Sequence, residues 1–107
     1  PVLIIQNNVG NRYSPTIIVA AITSRMDKHP LPTHVAISRT YGLQKNSMIL
    51  LEQVRTIDKS RLKEYIGHLD GRDMRAVNIS LKISLDVEPE FDRIFLEERQ
   101  KQSMVIM

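Results

Sequence analysis

The chain has 107 residues, which is one domain by length. Apolar residues make up 42% and charged residues 25%, the balance of an ordinary soluble globular protein. Without cysteine there is no disulfide framework and no thiolate metal site, a composition that fits the cytoplasm. No apolar run approaches the roughly 20 residues of a membrane span, and no signal-peptide pattern opens the chain. A net charge of +3 is compatible with a polyanionic partner without requiring one.

In chain order, "PVLII" is a buried-type strand, Val2 to Ile5, that starts with no polar lead-in. That opening raises the expectation of missing upstream sequence. Asn7, Asn8, Gly10 and Asn11 are turn formers, and Ser14-Pro15 closes a predicted loop. Thr16 to Thr23 is a second strand, apolar enough to be covered on both faces. Arg25 to Pro32 is polar with two prolines and reads as a loop; Thr33 to Ile37 alternates as a third strand. Met48 to Ile57 is a fourth strand or a bent pair, because Arg55-Thr56 breaks the apolar pattern.

Asp58 is placed to cap a short helix over Lys59 to Ile66, with Gly67 at its exit. Asp70 caps a second helix, with Met74, Val77, Leu81 and Leu85 at helical spacing. A third helix is predicted from Pro89 to Lys101. Four or five short strands followed by helices suggest a mainly β, α+β fold: a small β-barrel with helices at one end.

The histidines, His29, His34 and His68, include no pair at ligand spacing, so no metal site is expected. "NNVGNRYS" has one glycine and lacks the spacing of a phosphate loop. Thr23 closes an otherwise apolar strand. It either bonds local backbone, the commoner habit of a strand-end threonine, or offers a hydroxyl to an oxyanion. "SMILLEQVRTIDKSRL", residues 47–62, puts a carboxylate, an amide and a guanidinium close together. On a regular strand Gln53 and Arg55 share one face, suited to base edges and phosphate, and Glu52 lies on the other. Glu52 then holds a cation in a buried ion pair or reads base N–H groups.

"PVLIIQN", "IVAAIT", "LPTHV" and "LLEQVRTID" resemble the MazF/PemK family of toxin ribonucleases, in particular the Gram-positive branch also called EndoA. The likeness runs from Pro1 to about Leu85. It implies an SH3-like barrel with a C-terminal helix, a homodimer, a cytoplasmic toxin of a type II toxin-antitoxin system, and a MazE-like antitoxin that alone meets operator DNA. It also implies sequence-specific cleavage of single-stranded RNA without a cofactor or metal, leaving 2′,3′-cyclic phosphate and 5′-OH ends. By position, Thr23 matches the catalytic threonine, and Asn7, Ser47, Glu52 and Gln53 fall at or near the RNA groove, with Arg55 beside them. The family's catalytic arginine directly precedes the position of Pro1, so the chain as it stands is expected to be a very poor nuclease. Ala36 replaces a usual glutamate, and residues 86–107 have no counterpart. Two rivals follow: a barrel that binds without cutting, as the gyrase-inhibiting CcdB toxins do, or an inactive homologue that keeps only its contacts with antitoxin and DNA.

Overall fold

The computed structural model describes residues 1–25, 31–86 and 103–106. Short β-branched runs make its strands: β1 (Val2–Ile4), β2 (Thr16–Thr23), β3 (His34–Ile37), β4 (Ser47–Asp58), β5 (Glu64–His68) and β6 (Ser103–Ile106). Two α-helices join them, α1 (Asn8–Tyr13) and α2 (Gly71–Leu85). All six strands form one antiparallel sheet in the order β3-β4-β2-β1-β6-β5.

Strands β1 and β2 read as continuous apolar runs because both their faces are covered over most of their length, the exposed Ile18 apart. On one side Leu3, Ile22, Ile49 and Leu51 meet Met74, Val77 and Leu81 of α2. On the other, Val2, Ile4, Ile17, Val19 and Ile57 form a second, smaller core closed by Leu62. Together these make a mainly β half-barrel with a helix on its inner face.

The edges of the sheet, β3 and β5, are linked by the turn that follows β3. A 3-10 turn, Arg39–Tyr41, ends at Gly42, whose φ of 110° is left-handed. A Cβ there would lie 2.6 Å from the Ile66 carbonyl oxygen, so the position accepts only glycine. Gly67 meets the same turn from β5, where a Cβ would collide with the Tyr41 carbonyl. The Tyr41 hydroxyl donates to Asp73 on α2, which ties turn, edge strand and helix together.

Helix α2 starts where Asp70 predicts it. The Asp70 carboxylate accepts from the Asp73 N–H at 2.8 Å, and Met74, Val77 and Leu81 are buried. Leu85, expected on the same stripe, is exposed in the last turn before Asp86 breaks the helix at a φ of 55°.

Two other expectations are corrected. The predicted loop after β1 contains α1, because Asn7 caps it by accepting from the Gly10 N–H at 2.9 Å, and Lys59 binds the Asn11 carbonyl. The predicted helix from Lys59 to Ile66 is only a 3-10 turn, Lys59–Arg61, followed by β5. Asp58 makes no side-chain cap bond, and Glu64–His68 finds a ladder partner in β6 from the other end of the chain. The predicted helix from Pro89 to Lys101 lies outside the described residues. No helix among those described is long and apolar enough to cross a membrane.

Candidate functional site

The site is made by a break in pairing. On β4, Leu50 lies opposite Ala21 and Val54 lies opposite Ala20, which leaves Leu51, Glu52 and Gln53 as a bulge with no partner on β2. Leu51 turns into the core, fully buried, and its N–H bonds the Thr33 carbonyl at 2.9 Å. Glu52 and Gln53 are then both free of strict alternation and line one open depression of about 430 Å³, with Thr23, Arg25, Leu31, His34 and Leu50. The regular-strand expectation that Glu52 faces away from Gln53 is therefore overturned. Arg55, expected beside Gln53, lies beyond the bulge opposite Val19, exposed and outside the depression.

Glu52 pairs with His34 rather than with an arginine. The His34 Nε2 lies 2.7 Å from Glu52 Oε2, and the Thr33 hydroxyl donates to Oε1 at 3.3 Å. The Leu31 N–H donates to His34 Nδ1 at 3.1 Å. That bond makes Nδ1 an acceptor, so Nε2 carries the hydrogen and donates to the carboxylate. The His34 side chain is 5% exposed and that of Glu52 is 34% exposed, so the histidine is the buried brace and the carboxylate meets solvent. Partial burial pushes the Glu52 carboxyl up. Bonds from His34, from its own backbone and from Thr33 outweigh that and hold it below the usual carboxylate range.

Thr23 pairs with Met48 at the end of β2 and is half-buried. Its Oγ accepts from the Arg25 N–H at 3.1 Å. The local-backbone reading of Thr23 therefore describes its acceptor side. The oxyanion reading needs only the hydroxyl's hydrogen, which this bond does not use.

The remaining candidates lie elsewhere. Ser47 is 4% exposed and donates to the Lys45 carbonyl at 2.9 Å, bordering a second hollow on the other side of the β2 tip. Asn7 is spent on capping α1. It sits at the Thr16 end of β2, roughly 20 Å along the strand from Thr23 at about 3.3 Å per residue. His34 and Arg25 line the depression and were absent from the sequence candidates. In the sequence His34 offers only a metal-ligand reading, and the register of β3 against β4, His34 opposite Leu50, is what sets it beside Glu52. Among the described residues no group of three or more His, Cys, Asp or Glu side chains comes together.

A half-barrel with a helix in its concavity and a hydroxyl, carboxylate and amide at one strand end defines a fold class shared with small bacterial toxins. The structure superposes on Mycobacterium tuberculosis toxin MazF-mt6 with a TM-score of 0.75 at 26% identity, covering 82% of this chain and 87% of that one. It matches an endoribonuclease in complex with its cognate antitoxin from a mycobacterial species at 0.73 and 25% identity, covering 82% of each. A family model described as PemK-like, MazF-like toxin of type II toxin-antitoxin system matches residues 1–85. Over 86 residues the chain is 57% identical to Endoribonuclease MazF of Staphylococcus saprophyticus, covering 79% of this chain and 72% of that protein. Over the same length it is 58% identical to Endoribonuclease EndoA of Bacillus subtilis, covering 79% and 74%. The chain thus belongs to the PemK-like, MazF-like toxin family of type II toxin-antitoxin systems, in the branch that includes the Bacillus and Staphylococcus proteins.

Proposed function

We propose that this toxin, an endoribonuclease like its curated relatives, cuts single-stranded RNA at short specific sequences without a metal ion. The reaction is attack of a ribose 2′-oxygen on the adjacent phosphorus. The 2′-O–P bond forms as the P–O5′ bond breaks, leaving a 2′,3′-cyclic phosphate and a 5′-OH, and the proton lost from the 2′-OH is balanced by one gained at O5′.

The observation that carries this reading is the joint placement of Thr23, Glu52 and Gln53 around one depression. The Thr23 hydroxyl, its oxygen already bonded to the Arg25 N–H, donates to the phosphate as charge builds on it. Arg25 brings a guanidinium to the same rim. Glu52 is held ionised by His34 and Thr33. A carboxylate with a lowered pKa is a weak proton shuttle at neutral pH, so its role is to accept from the amino group of a base. Gln53, donor and acceptor at once, reads a base edge beside it. The Pro1 carbonyl accepts from the Ile22 N–H at 3.0 Å. In this register the family's arginine position, directly before Pro1, falls across from Thr23, where a cation would reach the same phosphate.

The same reading includes a homodimer and a cytoplasmic antitoxin that masks the toxin. Ile79 and Ile83, four apart on α2 and both more than half exposed, give an apolar face for such an assembly. Contact with operator DNA runs only through the antitoxin.

Cleavage of RNA in EDTA by the protein that carries the family's arginine before Pro1, with mass analysis of the product ends, tests the chemistry. The expected products carry cyclic phosphate. RNA left intact overturns the nuclease reading in favour of a toxin that binds without cutting. Thr23→Ala is expected to lower kcat by about 10²–10³-fold with an unchanged circular dichroism melt. Wild-type turnover in that variant removes Thr23 from the mechanism.

A further inference from the structure

Leu31 and His34 close a ring of hydrogen bonds at the start of β3. The His34 N–H donates to the Leu31 carbonyl at 2.9 Å, and the Leu31 N–H donates to His34 Nδ1 at 3.1 Å. The imidazole is thereby fixed in one neutral tautomer, with Nε2–H directed at Glu52 Oε2, 2.7 Å away. Packing leaves its side chain 5% exposed, with little room to turn. The segment carrying Glu52 is tied to the same strand, because the Leu51 N–H donates to the Thr33 carbonyl at 2.9 Å. Donor and carboxylate thus belong to two segments that cannot drift apart without breaking a backbone bond.

The need for this hold comes from another group in the depression. Arg25 lines the same hollow of about 430 Å³ as Glu52, within the reach of an arginine side chain. Its backbone N–H is anchored on Thr23 Oγ, but its exposed guanidinium forms no ion pair among the described residues. A carboxylate and a guanidinium that meet form a charge-assisted, often bidentate pair. Such a pair would neutralise the cation that faces the phosphate. His34 and Thr33 each donate to a different oxygen of Glu52 instead. Both donors are uncharged, so they hold the carboxylate in place and leave the positive charge of Arg25 to the substrate.

We propose that His34 is a positioning residue for cleavage: its bond to Glu52 keeps the carboxylate from pairing with Arg25, and so keeps the guanidinium available to the phosphate. The inference rests on the RNA-cleaving reading of the Thr23 depression and deepens it. His34 acts only through Glu52, and Thr33 supports it from the other oxygen.

The test is a set of variants of the protein that carries the family's arginine before Pro1, compared by kcat and KM on one RNA substrate. Loss of base reading by Glu52 weakens ground state and transition state alike and raises KM, whereas loss of a cation at the phosphate lowers kcat. Glu52→Ala alone is therefore expected to act on KM. His34→Phe, which keeps an aromatic ring without the donor, lowers kcat on the order of ten- to hundred-fold, at or below the cost of a missing transition-state donor. Adding Glu52→Ala to His34→Phe returns kcat toward the wild-type value, because the carboxylate that captured Arg25 is gone. His34→Gln, whose amide nitrogen stands near the place of Nε2, keeps kcat. His34→Asn, whose amide reaches only to the place of Nδ1, does not.

A purely structural role for His34 gives a double variant no faster than His34→Phe, which overturns the inference. Wild-type kcat in His34→Phe overturns it as well, and so does a His34→Gln as slow as His34→Asn. Where circular dichroism shows His34→Phe unfolded, His34→Asn with and without Glu52→Ala decides by the same criterion. Should the wild type cut no RNA at all, the nuclease reading falls on its own. The salt dependence of RNA binding, which counts the phosphate charges neutralised, then decides the positioning role. A slope shallower in His34→Phe and regained in the double variant supports it; equal slopes overturn it.

Discussion

Thr23 has two hydrogen-bonding sides, and the proposed reaction uses the second. Its oxygen accepts from the Arg25 N–H, which fixes the rotamer, and its hydrogen remains to be donated. Replacements that differ only in this group should therefore separate cleanly. Thr23→Ser keeps the hydroxyl and is expected to retain activity within about tenfold, whereas the near-isosteric Thr23→Val should fall by about 10²–10³ in kcat. Single-turnover cleavage rates check both. Glu52 carries a pH signature of its own. Its carboxyl is lowered in the fold, so the His34–Glu52 bond contributes stability that is present above the ordinary carboxylate value of 4.5 and is lost as pH falls through the lowered one. Thermal melts across the acid range should show this loss in the wild type and a flatter profile in Glu52→Gln. An acid limb of equal steepness in both proteins would show that other carboxylates dominate.

At the scale of elements, the bulge in β4 matters more than any strand's length. A regular β4 would put Glu52 and Gln53 on opposite faces of the sheet, and no single ligand would meet both. The join between sheet and helix is equally specific. Tyr41 bonds Asp73, and burial together with that bond pushes its hydroxyl up to about 12 from 10.0. A raised value means the fold favours the protonated phenol. This contribution is whole below pH 10 and is lost as pH rises toward 12. Tyr41→Phe should be less stable than wild type near neutrality and should lack the decline between those values, which urea midpoints at neutral pH and at about pH 11 would show. On α2, Asn78 is 1% exposed and neither amide atom has a partner. A buried unsatisfied amide costs about 1–3 kcal/mol, so Asn78→Leu should raise the urea midpoint rather than lower it.

These two elements also show where sequence reading succeeds. The start of α2 is legible because Asp70 lies three residues before the Asp73 N–H it caps, and because Met74, Val77 and Leu81 recur at the helical period. All of that information sits within one dozen neighbouring positions. Strand β5 is not legible in the sequence, because Asp58 resembles a cap and Lys59 to Ile66 has no strand signal strong enough to outweigh it. Its real partner, β6, lies far along the chain.

For the whole molecule the decisive feature is that the last described segment sits inside the sheet. β6 lies between β1 and β5, pairing Val105 with Val2 and Met104 with Leu3. Met104 is fully buried in the main core beside Leu3 and Met74. Met104→Ala should cost about 2–5 kcal/mol. Because β6 bonds strands on both sides, the loss should appear as one cooperative transition, read by circular dichroism and tyrosine fluorescence together. Melting of β5 alone would show instead that the two halves of the sheet are separable. Pairing β1 with the distant β6 also predicts slower refolding than in a helical domain built from local contacts.

Local pattern determined the runs that became β1 to β4, the cap and buried stripe of α2, the absence of a disulfide framework, and Thr23, Glu52 and Gln53 as the groups to watch. These follow from the chemistry of adjacent residues, which the chain carries wherever it folds. Tertiary structure alone decided that Glu52 and Gln53 share a depression with Thr23, that His34 braces the carboxylate, that Arg55 stands apart, and that β6 completes the sheet. Each depends on strand register or on contact between distant segments. A single misplaced residue in a strand turns a side chain to the other face, and no local pattern records which distant partner makes that choice.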